Sequence, residues 1–461
     1  MPQIAVAARD NRTDRYPLDA FLNDIAGVEA TTDIVDLRRK SRDFFWYSPV
    51  LDEMLKDKLA DVVVTPRDEN EVVRLAGACA RHRIPLTVRG GATGNYGQCV
   101  PLEGGVVLDM TALDRIEWHR PGIVRVAAGG KLNDIDAATR PSGFELRMHP
   151  STKRSATIGG FVAGGTGGIG TVTYGGLREP GNILAARVVT VEPQPRVLEL
   201  CGDAAQKVNR AYGTTGIITA LEMPLAPTHP WIDVIVAFDD FMQAVRCGRA
   251  LAMADGIVKK LLSPIAWPLP SSFSAVRAHC PQGKSLLLGM IAEPSLETFK
   301  TLLAPYGGVL TYETPSDDSS GKVPLYEHTW NHTTLQMLKS DRSVTYLQCL
   351  FPHDRLVESV EQICARFGDE IIQHIEFIRM NGYLTASGLP VIRYRSPERL
   401  NEIIALHEAS GVMIANPHVY TLEEGSRYKR VEADQLGFKH EVDPMGLLNP
   451  GKMRSFVPQA G

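Results

Sequence analysis

Glycine is spread unevenly along this chain, and that limits what the chain can fold into. Between residues 88 and 176 there are 19 glycines among 89 residues, against 22 in the other 372. The first cluster, Arg89-Gly90-Gly91-Ala92-Thr93-Gly94-Asn95-Tyr96-Gly97, follows the apolar run Ile84 to Val88. The second, Thr157 to Gly170, carries seven more glycines after Met148-His149-Pro150-Ser151-Thr152. Such stretches can take positive φ and turn several N–H groups onto one anion. They can equally be a set of tight β-turns. Two clusters, each after an apolar run, favour a large phosphate-bearing ligand lying against bare backbone.

The order of elements around the first cluster sets the fold class. Val62-Val63-Val64 reads as a buried strand. Thr65-Pro66-Arg67-Asp68-Glu69 starts a helix, and apolar residues at 72, 73, 76 and 80 carry it to His82. The strand to Val88 completes a β-α-β unit with the glycines after its second strand. A nicotinamide Rossmann fingerprint would follow the first strand and open a helix, so that fold is disfavoured. Further on, Val124 to Gly130 reads as a strand and turn, Leu132 to Thr139 as a helix, and Ala186 to Val191 with Arg196 to Leu200 as a hairpin.

At Pro227-Thr228-His229-Pro230 glycine thins out and strands alternate with amphipathic helices. Strands are expected at Ile232 to Phe238, Leu286 to Ala292, Tyr346 to Phe351 and Val391 to Tyr394. Helices are expected at Asp240 to Ala254, Ser295 to Leu303, Asp354 to Phe367 and Pro397 to Ser410. A polar loop is expected from Ser316 to Lys322. The pattern describes an α+β domain with an antiparallel sheet flanked by helices.

Bulk properties exclude several classes. A chain of 461 residues predicts two or three domains. A net charge of −4 and the absence of a Lys/Arg run give no nucleic-acid footprint. Seven scattered cysteines without a Cys-x-x-Cys pair imply neither a disulfide framework nor a cysteine zinc site. Met1 to Asp10 lacks the basic and apolar halves of a signal peptide, and no apolar run approaches the ~18 residues of a membrane span. The expected setting is cytoplasmic.

Four motifs in order resemble one family. Arg89-Gly90-Gly91-Ala92-Thr93-Gly94 resembles the pyrophosphate loop of FAD domains of the vanillyl-alcohol oxidase / p-cresol methylhydroxylase (PCMH) type. Thr157-Ile158-Gly159-Gly160 and Gly213-Thr214-Thr215-Gly216-Ile217-Ile218-Thr219 resemble two further FAD-contacting signatures. Asp443-Pro444-Met445-Gly446-Leu447-Leu448-Asn449-Pro450-Gly451-Lys452 resembles the closing motif of the glycolate oxidase / D-lactate / D-2-hydroxyglutarate dehydrogenase branch, the FAD-linked oxidases. The resemblance implies an α+β fold. Residues 1–226 would form a two-subdomain PCMH-type FAD-binding domain, residues 227–435 a cap, and residues 436–461 would return to the FAD domain.

By that resemblance, Arg89, Gly90, Gly91, Ala92, Thr93 and Gly94 hold the pyrophosphate. Pro150, Ser151, Thr157, Ile158, Gly159 and Gly160 line the nucleotide and flavin path, with Gly175 and Ile218 further along it. Asn449 and Lys452 approach the flavin end. Covalent members often carry a His in the first loop; Ala92 and Thr93 stand there instead, so non-covalent FAD is expected. Phe161 replaces the usual Asn after the Gly-Gly pair, and Gly164-Gly165 stand where Thr-Asn is common, so altered contacts are expected.

Oxidising a C–H bond at a flavin needs a base and a substrate clamp. The metal-dependent members end their cap with Glu-His-Gly; here the matching segment is Asn416-Pro417-His418-Val419. The upstream Gly-Asp-Gly-Asn-x-His motif is also missing, so no metal is expected. His418 is the first candidate base. His328 and His332 are the second, on one face if their segment is helical, although a buried aromatic/His helix fits the same residues. His374 and Glu376 are expected on one strand face, and Arg379, Arg393 and Arg395 can clamp a carboxylate or form surface ion pairs.

The expected activity is an FAD-dependent oxidoreductase (a dehydrogenase or oxidase) moving a hydride from an alcohol or 2-hydroxy acid, with a cap His as base. Oxidation of an aromatic or phenolic side chain, and non-catalytic flavin binding, stay open. The expected partners are a small-molecule substrate and an electron acceptor of unassigned kind, with a homodimer as an option.

Overall fold

The computed structural model describes residues 15–316, 321–426 and 429–458. The readings of Met1 to Asp10 and of residues 317–320 in the polar loop lie outside them. The β-α-β unit forms as its sequence demands. Helix Glu69–His82 starts where Asp68 Oδ1 accepts the Glu71 N–H at 2.9 Å, with Glu69 and Glu71 against the positive end of its dipole. Strand Val62–Thr65 pairs in parallel with Val106–Asp109, which pairs in parallel with Leu86–Arg89. Glu29–Thr31 closes the other edge antiparallel. Leu86–Arg89 is therefore the edge strand, and the glycine loop leaves the sheet from its end. Leu448 covers that edge through a parallel bridge to Leu86, bringing the C-terminal segment back.

A second, antiparallel sheet runs in the order Ile116–Arg120, Ile123–Ala127, Ile217–Pro227, Ala185–Val189, Val197–Cys201. Its last two strands are the expected hairpin. One apolar core joins both sheets, from Val62 and Leu86 to Val188 and Leu221. The second glycine stretch does more than turn. Ile158–Gly164 is a helix capped by Thr157, whose hydroxyl accepts from Gly160 N at 3.3 Å. Glycine disfavours helix, but Ile158, Phe161 and Val162 are buried in the core and offset that preference.

The cap opens with a four-stranded antiparallel sheet ordered Lys259–Ile265, Ser285–Ala292, Trp231–Phe238, Val309–Pro315. The strand expected over Tyr346 to Phe351 is two strands instead. Val344–Tyr346 pairs with Val391–Arg393, and Cys349–Leu350 pairs with Tyr383–Gly388. Opposite the break stands Pro390, which lacks an N–H and cannot continue a ladder; Leu347 N donates to its carbonyl at 3.2 Å.

The cap is fixed to the FAD-side sheets by buried charge. Glu145 Oε1 accepts from Lys260 Nζ at 2.6 Å and from Trp231 Nε1 at 2.9 Å, while Glu145 Oε2 accepts from Arg140 at 2.7 Å. Lys260 and Glu145 side chains are each 2% exposed. Removing one member of such a pair strands the other charge. Lys260→Met is expected to lower unfolding stability by about 3 kcal/mol in a urea melt. A parent-like midpoint would show that Arg140 and Trp231 hold Glu145 without it.

Candidate functional site

A cleft of about 360 Å³ runs between the glycine loop, the turn at 150–157, Gly159 to Gly167, and the cap. Its cradle is bare backbone. Among the described residues, the N–H groups of Gly90 to Gly94 donate to no backbone oxygen. Ala92 is held at φ 51°, the left-handed region, which costs a non-glycine residue roughly 1 kcal/mol and turns successive N–H groups the same way. A Cβ on Gly90 would strike the Thr157 hydroxyl, and one on Gly91 the Ser155 carbonyl. Loop and turn are thus packed too closely for side chains. Across that contact Thr152 Oγ1 donates to Thr93 Oγ1 at 3.3 Å. Free donors without side-chain bulk fit a pyrophosphate.

The loop is held from both ends of the chain. From the N-terminal side, Phe44 N donates to Gly94 O at 2.8 Å, and Asp43 Oδ1 accepts from Phe45 N at 2.9 Å. From the C-terminal side, Lys452 Nζ donates to Gly97 O, and Asn449 Nδ2 donates to Gln98 O at 2.8 Å and Tyr212 O at 2.6 Å. Burial pushes the Asp43 carboxyl up to about 6, against the pull of Lys452. Burial also brings Lys452 down to about 8, against the pull of Asp43.

Most of the expected cofactor residues line this cleft: Arg89, Gly90, Gly91, Ala92, Thr93, Gly94, Pro150, Ser151, Thr157, Gly159, Gly160 and Ile218. Three lie elsewhere, and Arg89, though on the wall, has its side chain occupied. The Arg89 guanidinium is engaged by the carbonyls of Arg39, Lys40 and Arg42, under the loop at the end of helix Ile34–Lys40. Ile158 is fully buried on the core side of its helix. Gly175 lies behind Glu179, and Asn449 anchors the loop instead of lining the cleft.

The three candidate histidines do not line the cleft. His418 is buried behind the wall; its Nε2 donates to Tyr346 O at 2.9 Å, and its Nδ1 accepts from Ser48 Oγ at 2.7 Å. Burial holds it down to about 4, so it is neutral with both nitrogens occupied. His328 and His332 do not share a helix face. His328 ends the 3-10 turn Leu325–His328, and Trp330 at φ 51°, ψ −142° breaks the chain before helix Asn331–Ser340. His328 packs edge-on against Phe273 at 5.1 Å between centroids, and burial brings it down to about 4. His332 faces a separate hollow with Arg154, Glu327 and Lys339.

His374 and Glu376 do share a face: His374 Nε2 and Glu376 Oε1 are 2.8 Å apart in a sealed cluster with Ser263. Glu376 Oε1 also accepts the Trp330 N–H at 2.7 Å, fixing that strained residue. Among the described residues no three His, Cys, Asp or Glu converge as a metal site. Of the candidate arginines, Arg379 lines the cleft, paired with Asp255 at 3.1 Å. Arg393 donates to Asp369 O at 3.0 Å, and Arg395 is an exposed partner of Glu370.

Sequence reasoning missed Asp43, Tyr96, Arg178, Arg210, Asn331 and Gln348, all on the cleft wall. Tyr96 lies in the first glycine cluster and Asn331 between the two cap histidines of the candidate pair, but neither position carries a signal of its own. Arg178 and Arg210 face the cleft, and no carboxylate of the described residues forms an ion pair with either, or with Lys429. Burial and the neighbouring Arg210 lower Arg178, and the same two causes bring buried Lys429 down to about 7. This end of the cleft is arranged for an anion.

Residues 60–199 match the family model of an FAD binding domain. An uncharacterized FAD-linked oxidoreductase of Mycobacterium tuberculosis is 30% identical over 213 residues, 43% of this chain and 45% of that protein. The match thus spans under half of that relative's length. The mitochondrial D-2-hydroxyglutarate dehydrogenase of Bos taurus is 24% identical over 444 residues, 85% of this chain and 76% of that one. A solved structure of alkyldihydroxyacetonephosphate synthase shares the fold, with a TM-score of 0.68 at 15% identity over 94% of this chain and 84% of that one. No helix among the described residues is long and apolar enough to cross a membrane.

The cradle can be checked directly. Acid precipitation of the yellow protein is expected to release FAD into the supernatant. Gly91→Ala, which sets a methyl against Ser155 O, is expected to lower the flavin content at least tenfold; full flavin content in that variant would place the pyrophosphate elsewhere. Cradle, family match and fold agree: residues 60–199 form an FAD binding domain, the chain as a whole is similar to FAD-linked oxidoreductases, and FAD is its cofactor.

Proposed function

We propose that this chain is an FAD-dependent oxidoreductase acting on the hydroxyl-bearing carbon of a small 2-hydroxy acid. The observation that carries the reading is the Arg178/Arg210 pair, cations without a carboxylate partner on a wall continuous with the FAD cradle. A planar guanidinium holds a carboxylate through two parallel bonds, which fixes the neighbouring carbon in the cleft. The relative named as a D-2-hydroxyglutarate dehydrogenase supports the same substrate class.

Bound FAD would supply the two-electron acceptor. The chain must orient the acid, exclude water and take up the hydroxyl proton. The expected histidines do not face the cleft, and His418 enters this reading as a positioning group behind Tyr346. Asp43 is the buried carboxylate of the wall, with Oδ2 4.0 Å from the Cys99 thiol. Its raised value, about 6, keeps it ionised at neutral pH yet basic enough to accept a proton.

Anaerobic addition of D-2-hydroxyglutarate, D-lactate or glycolate is expected to bleach the flavin, and benzyl alcohol is not. Bleaching by none of the acids would sink the assignment. The kcat/KM of the productive acid is expected to fall tenfold per pH unit as Asp43 protonates below about pH 6. Asp43→Asn is expected to remove that limb; an unchanged acid limb in Asp43→Asn would give the proton to another group.

A further inference from the structure

A short hydrogen-bond chain crosses the cleft wall from the FAD side to the cap. The Tyr96 hydroxyl donates to Gln348 Oε1, and Gln348 Nε2 donates to Asn331 Oδ1 at 3.2 Å. All three residues line the cleft. Tyr96 follows the cradle directly, Asn331 begins helix Asn331–Ser340, and Gln348 lies between the two short strands that replaced the expected one.

The chain has a direction, and the direction follows from the phenol. Tyr96 is buried, and burial raises its hydroxyl well above the ordinary value, so it keeps its proton. Gln348 Oε1 is the acceptor for that proton among the described residues. If the Gln348 amide were reversed, the phenol proton would be buried without an acceptor, at a cost of about 1–3 kcal/mol. Gln348 is therefore held with its carbonyl towards Tyr96 and its NH2 towards Asn331. Asn331 must then offer its carbonyl to Gln348, which leaves its own NH2 turned outward. Asn331 Nδ2 has no protein partner and is not among the sealed, unsatisfied polar atoms, so it is open to the cleft.

We propose that Asn331 is a specificity-determining residue whose side-chain NH2 donates to an acceptor oxygen of the substrate, and that Tyr96 and Gln348 set it in that sense. The proposal rests on the hydroxy-acid reading for the identity of that oxygen, a carboxylate or the carbonyl of the keto-acid product. Tyr96 and Gln348 are positioning residues; they act on the ligand through Asn331.

The test uses the FAD-loaded protein and oxalate, a non-oxidisable dianion rich in acceptor oxygens, with binding read from the flavin absorption spectrum. Asn331→Ala is expected to weaken oxalate about five- to tenfold, the size of one hydrogen bond. Asn331→Asp, which replaces the donor with a charge of the wrong sign, is expected to weaken it at least fiftyfold. Gln348→Glu offers only acceptors, so the Asn331 amide must reverse and present its carbonyl; a loss of at least tenfold is expected. Tyr96→Phe frees Gln348 to turn and is expected to lose two- to fivefold. Parent-like flavin content and melting temperature show that each variant is folded. In a productive acid the same changes are expected in KM, with kcat moved less than threefold. Oxalate binding within twofold of the parent in both Asn331→Ala and Gln348→Glu, or no oxalate binding by the parent, overturns the proposal. Oxalate binding that follows the expected order without turnover of any hydroxy acid upholds the donor and instead defeats the assignment of the reaction.

Discussion

A phosphate cradle made of backbone has no side chains with which to hold itself. Gly90, Gly91 and Gly94 approach the turn at 155–157 and Gln98 so closely that a Cβ would collide, so the loop must be fixed by residues outside it. The protein does this with two buried charged residues drawn from distant segments, each bonded to the backbone beside the loop. Asp43 and Lys452 are both nearly or fully inaccessible, and each is pulled back towards its charged form by the other. Burial of a charge is costly unless its bonds are satisfied. Here Phe45 N serves Asp43, and Gly97 O serves Lys452 and is fixed by it. The far end of the loop is thus tied to the C-terminal segment.

The same logic explains which parts of the architecture were legible in the sequence. Glycine density marks where backbone must be bare, and an apolar run before it marks a strand, so cradle and cofactor class could be read locally. Asp68 before an amphipathic run marks a helix start, and Glu192-Pro193-Gln194-Pro195 marks the hairpin turn. Three features were not legible, because tertiary context decides them. Helix Ile158–Gly164 forms against glycine's preference because its apolar side is buried. The expected strand at Tyr346 splits because Pro390, far along the chain, stands opposite the break. Trp330 takes a strained conformation that Glu376 holds from another strand, and that strain ends the helical relation between His328 and His332.

The candidate site divides in the same way. Residues that touch the cofactor through their backbone cluster in sequence and could be named. Those proposed to meet a small ligand, Asp43, Arg178, Arg210 and Asn331, come one at a time from distant segments. Histidine misled for a physical reason. An imidazole that is neutral and bonded at both nitrogens, as in His418, satisfies a buried backbone carbonyl well. The residue type that suits a base also suits a core. The cap, meanwhile, is not a loosely attached cover. The Lys260–Glu145 pair and Trp231 seal it to the FAD-side sheets, so ligand selection has to be built into the wall.

The bond between Lys452 and Gly97 spans 355 residues of sequence, and this bears on how the protein is made. During synthesis an N-terminal domain can ordinarily fold as it emerges, at roughly 5–20 residues per second. Here the two FAD-side sheets can assemble early, but their edge strand lacks Leu448 and their cradle lacks Lys452 until the segment carrying both has been made. The cradle therefore gains these two supports well after the core that it sits on.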